Sequence, residues 1–434
     1  MQSSLLLRFC ITAVLAAPAA VAGALVAPPL PSQLSTLYAS TTPRNAAGGT
    51  APAACTTEEV RVASASSPSP EIGLGGTLRL PLGSGPFPAV VLLADAGTTS
   101  GSVGSQSLLS SLADHLLRQG VAVLRLDERG TGRSAAIPSA KAAAELAADA
   151  QSALSYLRSH RGINPLRVGV LGHGEGANVA LLAAAQAPTP AFLVALGAAG
   201  LNGQELLARQ TSLVNQAGEP DTAQRAWNTH YAQRMAAARR EAKTQLAAGV
   251  APAQVQVRVA QEQLRLNSEA KKRSDALFKR QFAMLEIIRQ TPDNGQAQAI
   301  VANMLKQLYP ALSTAAAQVR AGQLTSAWYR SLLAFDPQAT LASVACPALL
   351  LHGTADTQVP AATNAAVLEK GLKGNKQVDF QRLDGINHDF QAVSEQAMSE
   401  QALAAGTTAA TTAATTASAD AVEAVGEWIA QRVR

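Results

Sequence analysis

Residues 167–180 read Arg-Val-Gly-Val-Leu-Gly-His-Gly-Glu-Gly-Ala-Asn-Val-Ala. An apolar run leads into a glycine-rich turn, and an alanine-rich segment with helical character follows. The turn has the outline of a nucleophile elbow, G-x-S-x-G, in which a tight strand-to-helix bend lifts a serine hydroxyl clear of a sheet. Its five residues here are Gly172, His173, Gly174, Glu175 and Gly176. The central position, where the pattern calls for serine, is Gly174, which has no side chain to supply an attacking oxygen.

Working outward, the segments around the turn alternate between buried-strand and helix patterns. Pro88–Leu93 is a continuous apolar run, as a parallel strand covered on both faces is, and Val121–Leu126, Val168–Leu171 and Ala191–Leu196 read as further strands. Residues 105–119, Lys141–Ser159 and Ala177–Ala185 read as the intervening helices. Two alternating stretches, Glu59–Val62 and Gly76–Leu80, form a leading hairpin. The pattern resumes with a strand at Pro347–His352, a helix over 361–372, a strand at Val378–Leu383 and a closing helix at Ala419–Arg432. Strands and helices in this order give an α/β fold with a mostly parallel sheet flanked by helices.

Between these halves, residues 203–330 carry no strand signal. Breakers at Gly218-Glu219-Pro220, Pro252, Pro292 and Pro310 divide a Gln-, Ala- and Arg-rich helical region too long to be a loop. It reads as a helical cap inserted between core segments 58–202 and 331–434. Arg239-Arg240 and Lys271-Lys272-Arg273 read as solvated helix faces. The cap aromatics Trp227, Tyr231, Phe278, Phe282 and Trp328 suit either a ligand pocket or helix packing. A Thr/Ala tract over 406–418 reads as a surface insertion.

The N-terminus has the form of an export signal. Arg8 precedes an apolar run from Phe9 to Ala17, and small residues at 20–24 suit cleavage, so residues 1–24 read as a signal peptide. The run is short for a membrane span and is broken by Pro18. The expected destination is the periplasm or the exterior, with no stable membrane span after cleavage. Residues 25–57, rich in Ala, Pro, Thr and Ser, read as a disordered low-complexity linker. Of the two cysteines left after cleavage, Cys55 falls in that linker and Cys346 opens a core strand as a buried thiol. No Cys/His cluster has metal-ligand spacing, and no cofactor is expected. A net charge of +5 without basic blocks interleaved with aromatics argues against nucleic acid as a partner.

Two further positions complete the chemistry. Asp356, in Leu351–Pro360, and His388, in Asp384–Phe390, each lie just past a strand end, where catalytic groups collect in open parallel sheets. An acid there holds the histidine tautomer and stabilises its cation. Oxyanion donors would be the backbone N–H of Glu175 and those of Ala96 or Gly97, in the loop after Pro88–Leu93. Ser134, Thr98 and Ser100 are other hydroxyls near these motifs, with no positive reason to promote them.

Residues 58–434 resemble the bacterial α/β-hydrolase esterases with a helical cap, related to serine aminopeptidase and prolyl-oligopeptidase-like hydrolases. The resemblance rests on Pro88–Leu93, on the D-x-R-G-x-G-x-S turn Asp127–Ser134, on the elbow and on Ser326–Pro337. The loops 352–360 and 385–391 complete it. It implies hydrolysis of carboxylic esters, less so of peptides, through an acyl-serine, with Asp356 and His388 as triad partners. The chain departs from the family at Gly174, and again where Asp95 and Ala96 replace the usual Gly and Ser. Serine-dependent ester hydrolysis is therefore expected to be impaired. A non-catalytic protein binding a small ester or acyl ligand is the alternative, and reversion of Gly174 to serine is expected to lower stability and create esterase activity. A glycine peculiar to this one sequence would leave the family reading an ordinary serine esterase. A remote alternative reads Gly172, Gly174 and Ala177 as a G-x-G-x-x-A dinucleotide turn, but no acid lies in 190–200 to hold a ribose. The oligomeric state is not legible.

Overall fold

A computed structural model describes residues 54–64, 73–95, 103–135, 142–209, 222–393 and 417–434. The proposed signal peptide, most of the linker, the Gly218-Glu219-Pro220 breaker, the oxyanion-loop residues Ala96, Gly97, Thr98 and Ser100, and nearly all of the Thr/Ala tract lie outside them.

Eight strands form one sheet in the order β1-β2-β4-β3-β5-β6-β7-β8. β1 (Cys55–Ala63) and β2 (Gly73–Pro81) are the antiparallel hairpin, and β2 also runs antiparallel to β4 (Ala122–Leu126). β3 (Phe87–Leu93), β5 (Ile163–His173), β6 (Leu193–Leu196), β7 (Ala348–Gly353) and β8 (Val378–Leu383) continue the sheet in parallel. The central strands are apolar throughout because both faces are covered: Val90, Val91, Val168, Val170, Leu193, Val194, Leu349 and Leu350 are all fully buried. The outer strand β1 instead carries exposed Glu59 and Arg61, charges that discourage pairing with another chain.

Helices cover both faces. α2 (Ala143–Ser159), α3 (Glu175–Ala184), α10 (Gln338–Leu341) and α11 (Ala361–Gly371) pack one side through Leu154, Leu157, Ala180, Leu341 and Leu368. α1 (Val103–Arg118) and the terminal helix α12 (Ala419–Val433) pack the other through Leu108, Leu112, Leu116, Val425 and Ile429. This is the α/β-hydrolase architecture expected from the sequence.

One boundary moves. Cys55, assigned above to the linker, begins β1 and pairs with Pro81, so the sheet starts three residues earlier than Glu58. The hairpin register, not local composition, recruits it: each residue of β1 has a partner on β2. Cys346 is a buried free thiol ahead of β7, and Cys55 is also free.

Among its described residues, the insertion between β6 and β7 has only helices and their connecting turns: α4 (Gly203–Arg209), α5 (Thr222–Ala247), α6 (Pro252–Gln290), α7 (Asn294–Leu308), α8 (Thr314–Leu324) and α9 (Ala327–Ala334). Proline sits where helices begin or are interrupted, as at Pro252 on the first turn of α6. α5 and α6 form an antiparallel hairpin, tied by Arg234–Glu262 and by Tyr231 Oη to Asn267 at 3.2 Å. Trp227, Tyr231, Met235 and Leu266 make its apolar seam, with Arg273 stacked 5.1 Å from the Trp227 ring centre. Phe278 and Phe282 pack against a second cap cluster around Met284, Leu285 and Leu324, and Trp328 is half-buried on α9. Four of the five aromatics thus serve helix packing. No helix among the described residues is long and apolar enough to cross a membrane.

The insertion leaves the sheet beyond the carboxyl end of β6, the edge at which β5 reaches the Gly174 turn. Its exit is anchored by Asn364 on α11, whose side chain is fully buried and accepts from Gly200 N (2.9 Å) and Leu201 N (3.2 Å).

Candidate active site

β5 ends at His173 and α3 begins at Glu175, so the whole reversal falls on Gly174, at φ 56° and ψ −118°. That backbone region is open to glycine and strained for any residue with a Cβ. Packing of α3 against the sheet requires a second glycine: a Cβ on Gly176 would meet the Ala94 carbonyl oxygen at 2.5 Å. The bend is fastened by Gly174 N–H to the Leu196 carbonyl (2.9 Å) and by Ala177 N–H to the Gly174 carbonyl (3.1 Å).

Asp356 follows β7 and His388 follows β8, and the two meet. His388 Nδ1 donates to Asp356 Oδ2 at 2.7 Å, with the side chains 7% and 1% exposed. Asp356 Oδ1 accepts the backbone N–H groups of Gln358 and Val359, both at 2.8 Å, which fixes the carboxylate. Gly197, at the end of β6, lies against both: a Cβ there would stand 3.4 Å from His388 Nδ1 and 3.6 Å from Asp356 Oδ2. Burial disfavours the His388 cation, but Asp356, then Asp95, outweigh it and raise the pKa well above the ordinary imidazole value.

Opposite His388 Nε2 lies the group that the sequence reading left in the background. Asp95 sits two residues past β3, with Oδ2 3.7 Å from His388 Nε2, an ion-pair distance beyond hydrogen-bond length. Its Oδ1 accepts the Glu175 backbone N–H at 2.8 Å. A Cβ built on Gly174 would stand 2.5 Å from Asp95 Cγ and closer still to Oδ1. The carboxylate therefore fills the space a nucleophile side chain would occupy. Burial opposes its ionisation, but the contact with His388, then the Glu175 amide, prevail and hold its pKa at about 2.

The Glu175 N–H, expected as an oxyanion donor, is thus engaged by Asp95, which corrects the view of it as available to a substrate carbonyl. The Glu175 side chain has the opposite electrostatics. Burial, then the charges of Asp95 and Glu128, push its carboxyl up to about 8, and Oε1 has no hydrogen-bond partner among the described residues. It is an un-ionised acid at neutral pH.

Two buried histidines brace the site. His173 Nε2 donates to the His388 carbonyl at 2.7 Å, and His352 Nε2 donates to the Ala198 carbonyl at 2.9 Å. Burial first, and for His173 the neighbouring His388 cation next, lower the pKa of each, so both rings are neutral. The Asp127–Ser134 turn is structural. Arg133 Nε binds Asp127 Oδ2 at 2.9 Å, Arg129 Nε binds Asp149 Oδ2 at 2.5 Å, and fully buried Ser134 accepts Gly75 N–H at 3.0 Å and donates to the Asp127 carbonyl at 2.9 Å. Ser134 is no substitute hydroxyl.

A glycine-centred elbow, a buried acid–histidine pair past β7 and β8, and a mostly parallel sheet define an α/β-hydrolase. The family model for serine aminopeptidase, S33 matches residues 98–392, and the chain belongs to that family. It is similar to esterase EstD of Thermotoga maritima, 34% identical over 107 residues, which is 24% of this chain and 26% of EstD. It is also similar to an uncharacterized protein of Mycobacterium tuberculosis, 38% identical over 95 residues, 22% of this chain and 32% of the other. The matched regions thus span about a quarter to a third of these relatives. Among solved structures, Est1E from Butyrivibrio proteoclasticus aligns at 12% identity with a TM-score of 0.44, covering 86% of this chain and 98% of that one.

Proposed function

We propose that this is an exported α/β-hydrolase in which acyl-serine ester hydrolysis has been lost while the acid–histidine pair has been kept. The observation that carries the reading is the Asp95 carboxylate standing against Gly174, where the family's serine side chain belongs. Loss of the nucleophile from such a triad lowers turnover on the order of 10⁶-fold, leaving about 10³–10⁴ over water from binding and oxyanion donors. Here the Glu175 donor is itself engaged by Asp95, so even that residue of activity is reduced for a carbonyl substrate. The ligand expected from the family is a small ester or acyl compound. Engagement of both the donor and His388 by the chain's own carboxylate favours binding of such a ligand over its hydrolysis.

The test is covalent labelling with a fluorophosphonate probe alongside hydrolysis of short-chain p-nitrophenyl esters. The expected result is no adduct and a rate indistinguishable from that of the His388→Ala variant. An adduct on any hydroxyl, with hydrolysis that depends on His388, overturns the reading. Export is checked separately by N-terminal sequencing of the protein recovered outside the cytoplasm.

A further inference from the structure

The positive charge of this chain is gathered on one part of the cap. From Arg234 to Arg280, α5, α6 and their connection hold eleven basic and four acidic side chains, a net charge of +7. The whole sequence is net +5, so everything outside this stretch is net −2. Packing does not call for the excess. The seam that joins the two helices is built from apolar residues of α5 and α6 alone, and all eleven basic residues are exposed.

Four of them share a line. Arg258, Arg265, Lys272 and Lys279 recur at seven-residue intervals on α6. Seven residues are close to two helical turns, so these side chains leave the helix on nearly one face, spread over about 32 Å at about 10 Å intervals. Val257 and Leu264 stand on the adjoining line, 54% and 68% exposed. Arg265 meets Glu262 at 3.2 Å, whereas Arg258, Lys272 and Lys279 have no carboxylate within ion-pair distance among the described residues.

We propose that this face of α6 docks the protein on the surface of an anionic phospholipid bilayer. The partner follows from the shape and chemistry of the face. A layer of phosphate headgroups is flat, negatively charged and fluid, so a straight line of separated cations meets it along its whole length without a matching pocket. Each basic residue held near such a surface strengthens partitioning roughly fivefold. Val257 and Leu264, which gain nothing from water, enter the boundary between headgroups and acyl chains. Single-stranded nucleic acid fits less well, because it is held by aromatic side chains that stack on bases. The hairpin's aromatics Trp227, Tyr231, Phe278 and Phe282 are engaged in packing between helices. The contact is peripheral, since no helix among the described residues is long and apolar enough to span a membrane. It is independent of the chemistry at Gly174.

The test is co-sedimentation of the full chain with sucrose-loaded vesicles of phosphatidylglycerol and phosphatidylcholine in equal parts, and with vesicles of phosphatidylcholine alone. Binding to the anionic vesicles only, weakening steeply as salt is raised, is expected. A variant carrying Arg258→Gln, Arg265→Gln, Lys272→Gln and Lys279→Gln keeps helix-forming residues at exposed positions. It is expected to lower partitioning on the order of 10²-fold or more. A control carrying Lys370→Gln, Lys373→Gln, Lys376→Gln and Arg382→Gln changes the net charge equally at exposed positions outside the cap and is expected to retain most of the binding. Equal loss in the two variants, no loss in the first, equal binding to neutral and anionic vesicles, no binding to either, or tighter binding to a DNA duplex than to anionic vesicles at the same salt overturns the proposal.

Discussion

The carboxylate of Asp95 and the backbone of Gly174 are sterically matched: the oxygen of one occupies the place where a Cβ on the other would stand. Asp95 arrives from the end of β3 and Gly174 from the end of β5, neighbouring parallel strands in register up to Leu93 and Gly172. Each residue departs from the family pattern, and each departure makes room for the other. A serine at 174 needs Asp95 displaced, and Asp95 needs residue 174 bare.

This match predicts the stability of the revertant. Gly174→Ser places a side chain at φ 56° and drives it into Asp95. Backbone strain and overpacking together are expected to destabilise the fold by about 2–4 kcal/mol in urea melts. Adding Asp95→Gly removes the clash but not the strain, so roughly half of the loss should return. Equal stability of Gly174→Ser and the parent would show that the bend accommodates a side chain freely.

His388 lies between two carboxylates, which gives a pH dependence with a defined sign. Its folded pKa is raised, so its contribution to stability is complete below the unfolded value near 6.5 and fades as pH rises through the folded value. Asp95, held at about 2, contributes above its unfolded value near 3.9 and loses that contribution as pH falls toward 2. Stability from this cluster is therefore greatest between roughly pH 4 and 6.5. Asp95→Asn is expected to lower the His388 titration midpoint seen by NMR. An unchanged midpoint would mean that Asp356 alone sets it.

Glu175 acts in the opposite sense. A carboxyl pushed up to about 8 binds a proton that the unfolded chain releases near 4.5, so its cost to stability grows with pH across that interval. Glu175→Gln should leave stability unchanged at pH 4 and raise it by roughly 1–3 kcal/mol at pH 8. A variant no more stable than the parent at pH 8 would show that the carboxyl ionises without penalty.

The cap's exit depends on Asn364. Asn364→Leu leaves the Gly200 and Leu201 N–H groups without their shared acceptor at a buried site, which is expected to cost about 2–4 kcal/mol. Faster proteolysis at 197–203 than in the parent is the accompanying signature, and an unchanged melting temperature would refute the anchoring role.

The core was legible because buried parallel strands are written as unbroken apolar runs, and Val168–Leu171, Ala191–Leu196 and Pro347–His352 all lie in or against strands of the sheet. Asp356 and His388 were legible because each follows such a run within a few residues, and the structure joins them at 2.7 Å. The start of β5 was not: the apolar run begins only at Val168, yet Ile163 pairs with Phe87 across a register shift. Cys55 was missed for a similar reason: its Ala- and Pro-rich lead conceals a long-range hairpin partner. Asp95 stood out in the sequence only as a departure from pattern. Its contact with Gly174 depends on how the chain turns beyond β3, which periodicity does not encode. His173 and His352 gave no signal, since a histidine that braces a carbonyl looks like any other in an apolar run.

The pairing of Asp95 with Gly174 is tested most directly by the rate of p-nitrophenyl acetate hydrolysis in four proteins: the parent, Gly174→Ser, Asp95→Gly, and the double variant. Restored hydrolysis in the double variant alone, with both single variants at the parent's level, is the predicted outcome; the sequence alone led to the expectation that Gly174→Ser by itself creates activity, and the Asp95 carboxylate against Gly174 revises it. A Gly174→Ser variant as active as the double would contradict it, because the serine would then be working with Asp95 still in place.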